Sequence, residues 1–320
     1  RQLDHKYTLM TEHVCPVGAL TSRDFRFKAR VWFLKSAEGV CTGCATGCNT
    51  HVDYDPRYGK VYRLRPRDNE DVNQFWMCDD GMMTYTRQAT DRVLTATSGR
   101  GAERLPLSTT KAHALAAEKL GSVDPAKLAV VLSAQHSTED NLALAKLAAA
   151  LGAKRLYLGA LGGWEGDEIL RSADNNPNRA GATLAAGGAS LDSVEKLVSD
   201  VQSGEVEGVL ALGWASAEAL EELAPLVSLD AVVSLTSHIG ALPAAAELVI
   251  PVADTFEIDG SFINEKGLLQ SFEAVLSTPA DIEPAWKVVA ELAQALGKDL
   301  GFQDLDGLRK DLSSEAEAAQ

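Results

Sequence analysis

Four of the five cysteines in this chain of 320 residues lie within a stretch of 38 residues. Cys41, Cys44 and Cys48 share one short loop, with two and three residues between them, and Cys78 follows after 29 more. Four thiolates can bind a zinc ion or an iron–sulfur cluster. Secreted domains spread an even number of cysteines along the chain, so this pattern predicts a reducing compartment and a metal site.

The spacing of the four cysteines favours an iron–sulfur cluster over zinc. Zinc ribbons usually contain two Cys-x2-Cys pairs, each of which wraps the metal from a turn. Here three cysteines share one loop and the fourth stands alone, which suits a cubane whose irons need ligands from several directions. Gly43 and Gly47 allow that loop to bend tightly and to bring its amides near the sulfur atoms. Zinc stays an alternative at this point.

The elements expected to position the cysteines are short. Strand patterns occur at 30–34, 50–54 and 60–65, and the "DPRYG" turn between the last two predicts a hairpin. The polar, glycine-containing stretch 86–110 predicts a linker.

From residue 111 onward, alanine-rich helices alternate with short apolar strands, and this alternation predicts a doubly wound α/β domain with a parallel sheet. Ser137 and Asp140 form a capping-box pattern at the start of one helix, which is expected to end at Gly152. The predicted elements are helix 111–120, strand 127–133, helix 137–152, strand 154–159, an irregular stretch 160–187, helix 190–203, strand 208–213, helix 215–226, strands 231–236 and 247–253, and helix 283–297.

Charge divides the chain into two parts. Residues 1–110 contain 16 Lys and Arg and 13 Asp and Glu, a net charge of +3, whereas residues 111–320 contain 14 and 32, a net charge of −18. Binding to nucleic acid needs a basic footprint, so we expect no nucleic-acid partner. No run approaches the roughly 18 apolar residues of a membrane span, so we expect no direct membrane insertion.

Other stretches offer weaker sites. The glycine-rich residues 159–168 lack the Gly-x-Gly-x-x-Gly spacing of a dinucleotide loop and predict an ordinary loop. The six histidines form no metal-spaced pair. Asp254, Glu257 and Asp259 are typical of turns rather than of paired catalytic carboxylates, so we name no catalytic residue.

Several stretches resemble one known family. "CPVGALTSRDFRFKARVWF" (15–33) resembles the large iron–sulfur subunit of respiratory complex I, the NADH–quinone oxidoreductase. "CTGCATGCN" and "FWMCDDG" resemble the first domain that this subunit shares with molybdopterin oxidoreductases. The stretches 169–182 and 246–272 agree with the same family and occur in its order, so the resemblance covers most of the chain.

The resemblance implies roles for all five cysteines. Cys41, Cys44, Cys48 and Cys78 match the four ligands of a [4Fe–4S] cluster. Cys15 matches the last ligand of a second cluster, whose other cysteines lie upstream in a ferredoxin-like domain. That domain is not in this sequence, which begins with Arg rather than Met, so we expect a fragment or one product of a split gene. Cys15 is then a possible ligand only if the upstream domain is present.

The implied domains are three: residues 1–30 as a remnant of the upstream iron–sulfur domain, residues 31–110 as the [4Fe–4S] domain plus linker, and residues 111–320 as the α/β domain. The last resembles a degenerate molybdopterin-type domain.

Departures from the pterin-binding relatives predict that no functional molybdopterin is bound. Asp79 and Asp80 stand where those enzymes commonly have a Lys, and Leu268 stands where they often have an Arg. No cysteine occurs after Cys78 to supply a thiolate molybdenum ligand.

The implied function is electron transfer in the NADH-oxidising arm of a complex I-type assembly. The expected partners are other subunits of that arm, and the expected location is the cytoplasmic face of the inner membrane, as a peripheral subunit. Two alternatives stay open: the electron-transfer subunit of an NAD-linked hydrogenase or formate dehydrogenase, and a zinc-bound scaffold for partner subunits.

Overall fold

The computed structural model of the protein describes residues 4–188, 190–213, 221–279 and 281–318. The helices are α1 (Met10–His13), α2 (Asp79–Met82), α3 (Tyr85–Gln88), α4 (Thr109–Gly121), α5 (Thr138–Leu151), α6 (Arg179–Ala185), α7 (Val194–Gln202), α8 (Ala241–Ala245), α9 (Ala285–Ala295) and α10 (Leu305–Ala318). The strands are β1 (Lys35–Val40), β2 (Asn49–Asp55), β3 (Lys60–Pro66), β4 (Ala96–Ser98), β5 (Leu105–Leu107), β6 (Leu128–Ser133), β7 (Arg155–Gly159), β8 (Asp192–Ser193), β9 (Gly208–Leu212), β10 (Ala231–Thr236), β11 (Leu248–Pro251), β12 (Gly260–Ile263) and β13 (Leu269–Phe272).

The chain forms two compact units, each assembled from three separate stretches. The cluster unit consists of Arg1–Thr90, Gly162–Pro177 and Thr255–Ser277. The sheet unit consists of Asp91–Leu161, Asn178–Asp254 and Thr278–Gln320. This division differs from the predicted continuous domains 1–30, 31–110 and 111–320. Two stretches of the predicted α/β domain belong to the cluster unit, because their hydrogen bonds go to the cysteine loop.

The cluster unit contains a three-stranded antiparallel sheet in the order β1-β2-β3 and the separate hairpin β12-β13. The predicted hairpin is present as β2 and β3, joined by the turn at residues 56–59. The predicted strand 30–34 is wrong: Val31–Phe33 form a turn of 3-10 helix, and all three side chains are exposed. The pairing strand is β1, which follows directly and pairs Val40 with Asn49.

The core of the cluster unit is small and rich in sulfur. It contains Cys41, Cys48 and Cys78 together with aliphatic, methionine and tyrosine side chains from several elements. Residues 4–30 contribute Tyr7 and Met10 to this core, although α1 is their only described helix. The four-cysteine region is therefore also the packing centre of the unit.

The sheet unit is built on eight strands in the order β5-β4-β11-β10-β9-β6-β7-β8. The six strands from β11 to β8 are parallel, and β4 and β5 add an antiparallel edge. The strand order reverses between β6 and β9, so the chain winds outward in both directions from the centre. The predicted doubly wound parallel sheet is confirmed.

Local signals explain most of the helices of the sheet unit. Helix α5 begins after Ser137, whose hydroxyl accepts from the Asp140 amide at 3.0 Å, and ends at Gly152 with φ +80°. The predicted linker 86–110 was wrong in part, since it contains β4 and β5. The predicted irregular stretch 160–187 contains α6. Of the predicted helix 215–226, residues 215–220 lie outside the described residues and 224–228 form 3-10 helix.

Two apolar cores cover the faces of the large sheet. One joins β6, β9, β10 and β11 to α4, α5, α9 and α10, and the other packs against α7 and α8. Leu132, Leu210 and Val233 are fully buried in the first core. Among the described helices, none combines the length and the apolar character needed to cross a bilayer.

Candidate metal centre

Three of the four clustered cysteines lie at the ends of short elements, and Cys44 lies within the loop between Cys41 and Cys48. Cys41 follows β1 and Cys48 precedes β2, and the loop between them is closed by the Cys41 amide donating to the Cys48 carbonyl at 2.8 Å. Cys78 is the N-cap of α2, and its sulfur accepts from the Gly81 amide at 3.3 Å. All four side chains, including Cys44, are only 3–5% exposed. The fold therefore buries the four thiols.

At two glycines the backbone lies close to cysteine sulfur atoms. A Cβ atom at Gly81 would lie 3.2 Å from the Cys41 sulfur and 3.3 Å from the Cys78 sulfur, so these two sulfurs lie no farther apart than the sum of those distances. A Cβ atom at Gly43 would lie 3.3 Å from the Cys41 sulfur, which also accepts from the Gly43 amide. Glycine is required here to let amide groups reach sulfur closely.

Burial and mutual repulsion disfavour free thiolates at this site. Burial raises the pKa of Cys41 and of Cys48 well above the usual range of a thiol, and nearby cysteines, including Cys44, raise both further. Burial likewise raises the pKa of Cys78 to about 11. Buried anionic sulfur becomes favourable when cations bind it, so this donor set fits a metal group that displaces the thiol protons.

The loop 162–177 packs against the cysteine loop through the Ala45 amide and the Thr46 hydroxyl. The Ala45 amide donates to the Asp174 carbonyl at 2.9 Å. The Thr46 hydroxyl donates to the Leu170 carbonyl at 2.7 Å and accepts from the Ser172 amide at 3.2 Å. These bonds explain why a stretch far along the chain belongs to the cluster unit.

The segment 255–277 donates hydrogen bonds to backbone carbonyl groups of the same cysteine loop. The carbonyls of Ala45, Thr46 and Gly47 accept from the Glu265 amide (2.8 Å), the Asn264 side chain (3.1 Å) and the Gln270 side chain (2.9 Å), respectively. Three successive peptide groups are thereby fixed in orientation.

Arg171 is a charged residue of this site that the sequence pattern did not single out. Its guanidinium forms an ion pair with Asp80 at 2.7 Å and stacks on Trp164, 3.7 Å from the ring centroid. The side chain is 9% exposed, and its positive charge counteracts part of the rise in the Cys78 pKa. No local pattern marks Arg171, because a loop distant in sequence brings it to Asp80, two residues after Cys78.

Asp79, the first residue of α2, links the segment that follows Cys78 to the N-terminal segment. Its carboxylate accepts from the amides of Thr8 (3.1 Å) and Leu9 (2.9 Å), and its own amide donates to the Lys6 carbonyl at 2.8 Å. This position, at which the chain departs from pterin-binding relatives, therefore has a structural role.

Cys15 lies outside the core that contains Cys41, Cys48 and Cys78. Its thiol is half-buried, and backbone amides, with that of Leu20 foremost, lower its pKa. It lines a cavity of about 300 Å³ together with His13, Phe25, Arg63 and Met83, among others. The structure brings Cys41, Cys44, Cys48 and Cys78 together, while the second-cluster role of Cys15 stays a prediction.

Within the described part of the chain, no group of three or more His, Cys, Asp or Glu side chains is arranged to hold a metal ion. The four cysteine side chains influence one another electrostatically without being arranged around a single ion.

Comparison with known sequences identifies the family. Residues 34–89 match the molybdopterin oxidoreductase Fe4S4 domain, and residues 130–295, more than half of the chain, match molybdopterin oxidoreductase. The chain belongs to the molybdopterin oxidoreductase family. The predicted iron–sulfur domain and its [4Fe–4S] cofactor type are confirmed, while the assignment of individual ligands stays a prediction.

Within this family, the similar curated proteins include complex I subunits. An NADH-quinone oxidoreductase subunit of Mycobacterium tuberculosis is 36% identical over 144 residues, which are 43% of this chain and 17% of the relative. NADH dehydrogenase (ubiquinone) iron-sulfur protein 1 of Solanum tuberosum is 32% identical over 148 residues, 45% of this chain and 19% of the relative. The chain thus matches less than one fifth of either relative's length. The resemblance to the large iron–sulfur subunit is confirmed.

The likeness to one solved structure supports the fold. The acetylene hydratase from Pelobacter acetylenicus aligns with 82% of this chain and 69% of its own chain, with a TM-score of 0.50 and 10% identity. At this identity the likeness shows the fold alone. It confirms the predicted combination of a small β-rich domain with a parallel-sheet domain of the molybdopterin-oxidoreductase type.

Proposed function

We propose that this chain is an iron–sulfur electron-transfer polypeptide of the NADH-oxidising arm of a complex I-type assembly. In this proposal Cys41, Cys44, Cys48 and Cys78 bind one [4Fe–4S] cluster, and the partners are other subunits of that arm. The chain then works as a peripheral subunit at the cytoplasmic face of the inner membrane. The similarity to proteins named as parts of NADH-quinone oxidoreductase supports this assembly over an NAD-linked hydrogenase or formate dehydrogenase.

The gathering of four buried thiols around glycine-lined backbone carries this proposal. When bound, a [4Fe–4S] cluster supplies one-electron oxidation and reduction. The chain's own residues hold its ligands in place, exclude water from them by burial, and direct the amides of Gly43 and Gly81 at cysteine sulfur. Burial, charge and hydrogen bonds to sulfur are the features by which a protein sets a cluster's reduction potential.

We further propose that the sheet unit binds no molybdopterin. In open α/β sheets the ligand site is the crevice at the carboxyl ends of the strands where the order reverses. At the carboxyl end of β6, the Asn141 side chain donates to the carbonyls of Ser133 and Ser137, both at 2.9 Å, and the Asn178 side chain donates to that of His136 at 2.7 Å. These polar groups are engaged with one another, which supports a site converted to internal structure.

Elemental analysis of anaerobically purified protein tests the proposal. We expect close to four irons and four inorganic sulfides per chain, because that is the composition of one [4Fe–4S] cluster. Stoichiometric zinc without sulfide would contradict it and favour the scaffold alternative. Molybdenum bound at one equivalent would contradict the proposed loss of the pterin site.

A second measurement tests the assembly. Affinity purification of the tagged chain from its native cells should recover subunits of an NADH-oxidising complex together with NADH dehydrogenase activity. Recovery with hydrogenase or formate dehydrogenase subunits instead would contradict the complex I assignment while leaving the cluster assignment intact.

A further inference from the structure

Arg171 combines deep burial with an unused hydrogen-bond donor. Its side chain is 9% exposed, and its Nε atom, which carries an N–H, is buried without a hydrogen-bond partner. An unpaired buried donor destabilises the folded state, and such groups in a native protein call for an explanation. A bound group that accepts a hydrogen bond from this N–H, or that is stabilised by the positive charge of the guanidinium, would supply that explanation.

The guanidinium is fixed in position by several independent contacts. One terminal nitrogen bonds to Asp80 at 2.7 Å, and the plane stacks on the Trp164 ring. The Trp164 indole is itself held by donation to the Ser172 carbonyl at 2.8 Å. The Arg171 backbone is anchored by donation to the Asp167 carboxylate at 3.1 Å. Contacts of this number restrict the side chain to one conformation.

The fixed charge acts on the cysteine site. Asp80, its ion-pair partner, lies two residues after Cys78, and the electrostatic effect of Arg171 reaches the Cys78 sulfur. The Asp80 side chain is 51% exposed whereas that of Arg171 is 9% exposed. The two charges act on the Cys78 sulfur in opposite directions, and the effect of Asp80 is the larger of the two. The Thr46 hydroxyl, which bonds to the residues on both sides of Arg171, lies 3.5 Å from the Cys44 sulfur and so holds this loop beside the thiols.

We propose that Arg171 is the positioning residue that raises the reduction potential of the cluster bound by Cys41, Cys44, Cys48 and Cys78. Reduction adds one negative charge to the cluster, and a nearby buried cation stabilises the more negative state. This inference rests on the proposed function, since it requires a cluster at these cysteines. It adds a residue from a distant loop that controls the cluster's electron affinity without ligating it.

The test is a redox titration, followed by EPR, of the full chain with its cluster assembled. Arg171→Gln removes the charge and retains a polar side chain. We expect the equilibrium constant for reduction to fall at least tenfold, which for one electron is about 59 mV toward more negative potential. Arg171→Lys keeps the charge and should shift the potential less. Arg57→Gln, which removes an exposed arginine in the same unit, is the matched control and should leave the potential unchanged.

A second variant covers the case in which Arg171→Gln fails to assemble a cluster. Asp80→Asn removes the negative partner and keeps Arg171, so the potential should shift in the opposite direction, toward more positive values. An assembled Arg171→Gln protein at the wild-type potential, or an Asp80→Asn protein with no positive shift, would overturn the inference. A wild-type chain without iron and sulfide would instead contradict the proposed function itself.

Discussion

The cluster unit and the sheet unit obtain their stability from different sources. The sheet unit has two extensive apolar cores, with strands such as β6 and β9 buried along their whole length. The cluster unit has one smaller core, in which three of the twelve buried residues described are cysteines. Apolar burial stabilises by about 25 cal/mol per Å², so the sheet unit can be stable by itself, whereas the cluster unit depends on what its cysteines bind.

This difference reflects what each unit requires of the sequence. The parallel sheet requires only apolar patterning and helix signals. The candidate metal centre requires two later stretches, 162–177 and 255–277, to pack against the cysteine loop, through bonds such as those from Asn264 and Gln270. We therefore expect loss of the cofactor to change the stability of the cluster unit. A change of charge in the apolar core should change the stability of the sheet unit.

The largest expected effect is that of removing the cluster. Metal-binding free energy contributes directly to folding, so the cluster-free protein should lose amide protection and gain protease sensitivity over residues 31–85. The sheet unit should keep its protection, which hydrogen exchange measured by mass spectrometry can resolve segment by segment. Equal protection of residues 31–85 with and without the cluster would contradict the dependence of this unit on its cofactor.

A smaller effect is expected from Gly47→Ala. Gly47 has φ +64°, and a Cβ atom there would lie 2.7 Å from the Gln270 Nε2 atom and 3.2 Å from the Asn264 side chain. The left-handed conformation costs about 1–2 kcal/mol for a non-glycine residue, and overpacking adds about 1–3 kcal/mol.

Gly59→Ala is the matched control for Gly47→Ala. Gly59 has φ +56° but nothing within 4 Å of its added Cβ, so it should show only the conformational cost. Hydrogen exchange of cluster-unit amides measures the loss of unfolding free energy in Gly47→Ala and in Gly59→Ala. Equal losses in the two variants would show that the contact between the cysteine loop and segment 255–277 does not constrain the loop.

The smallest expected effect concerns pH and the sheet unit. Burial raises the pKa of Asp140 to about 6, although the Ser137 hydroxyl and the Trp286 amide hydrogen-bond its carboxylate. Because the folded pKa lies above the unfolded value of about 3.9, the stabilising contribution is complete below about pH 4 and is lost as the pH rises through 6.

Asp140→Asn should therefore remove about 2 kcal/mol of the pH dependence of the unfolding free energy of the sheet unit between pH 4 and 7. The exposed Asp306 provides the control, since Asp306→Asn should leave that dependence unchanged. Hydrogen exchange of sheet-unit amides as a function of pH is the measurement. An unchanged pH profile in Asp140→Asn would show that this carboxyl group titrates at its ordinary pKa in the folded protein.

The sequence predicted the parts of the fold that depend on local signals. The β2–β3 hairpin follows from its turn residues, and α5 follows from Ser137 and Gly152, because turn and cap chemistry is read within a few residues. The four clustered cysteines were found from their spacing for the same reason.

Features that depend on distant partners were not predictable in this way. Strand β4 is only three residues long and is defined by its pairing with β11, since strand preference depends on context. The hydrophobic run 30–34 favoured a strand by composition, but its side chains have no buried face to cover. Arg171 lies in the stretch 160–187, which the sequence predicts only as irregular, and its place at the site depends on the bonds that the neighbouring residues make to Thr46.

The most direct test of the central claim is to count cluster iron and sulfide, and to record EPR of the reduced protein, after replacing each cysteine in turn. Cys41→Ala, Cys44→Ala, Cys48→Ala and Cys78→Ala should each strongly reduce the bound [4Fe–4S] cluster, because a cubane held by three thiolates has an exposed iron. Cys15→Ala is the matched control and should leave the iron, the sulfide and the EPR signal at wild-type levels. A Cys78→Ala protein with an intact cluster, or a Cys15→Ala protein without one, would contradict the ligand assignment.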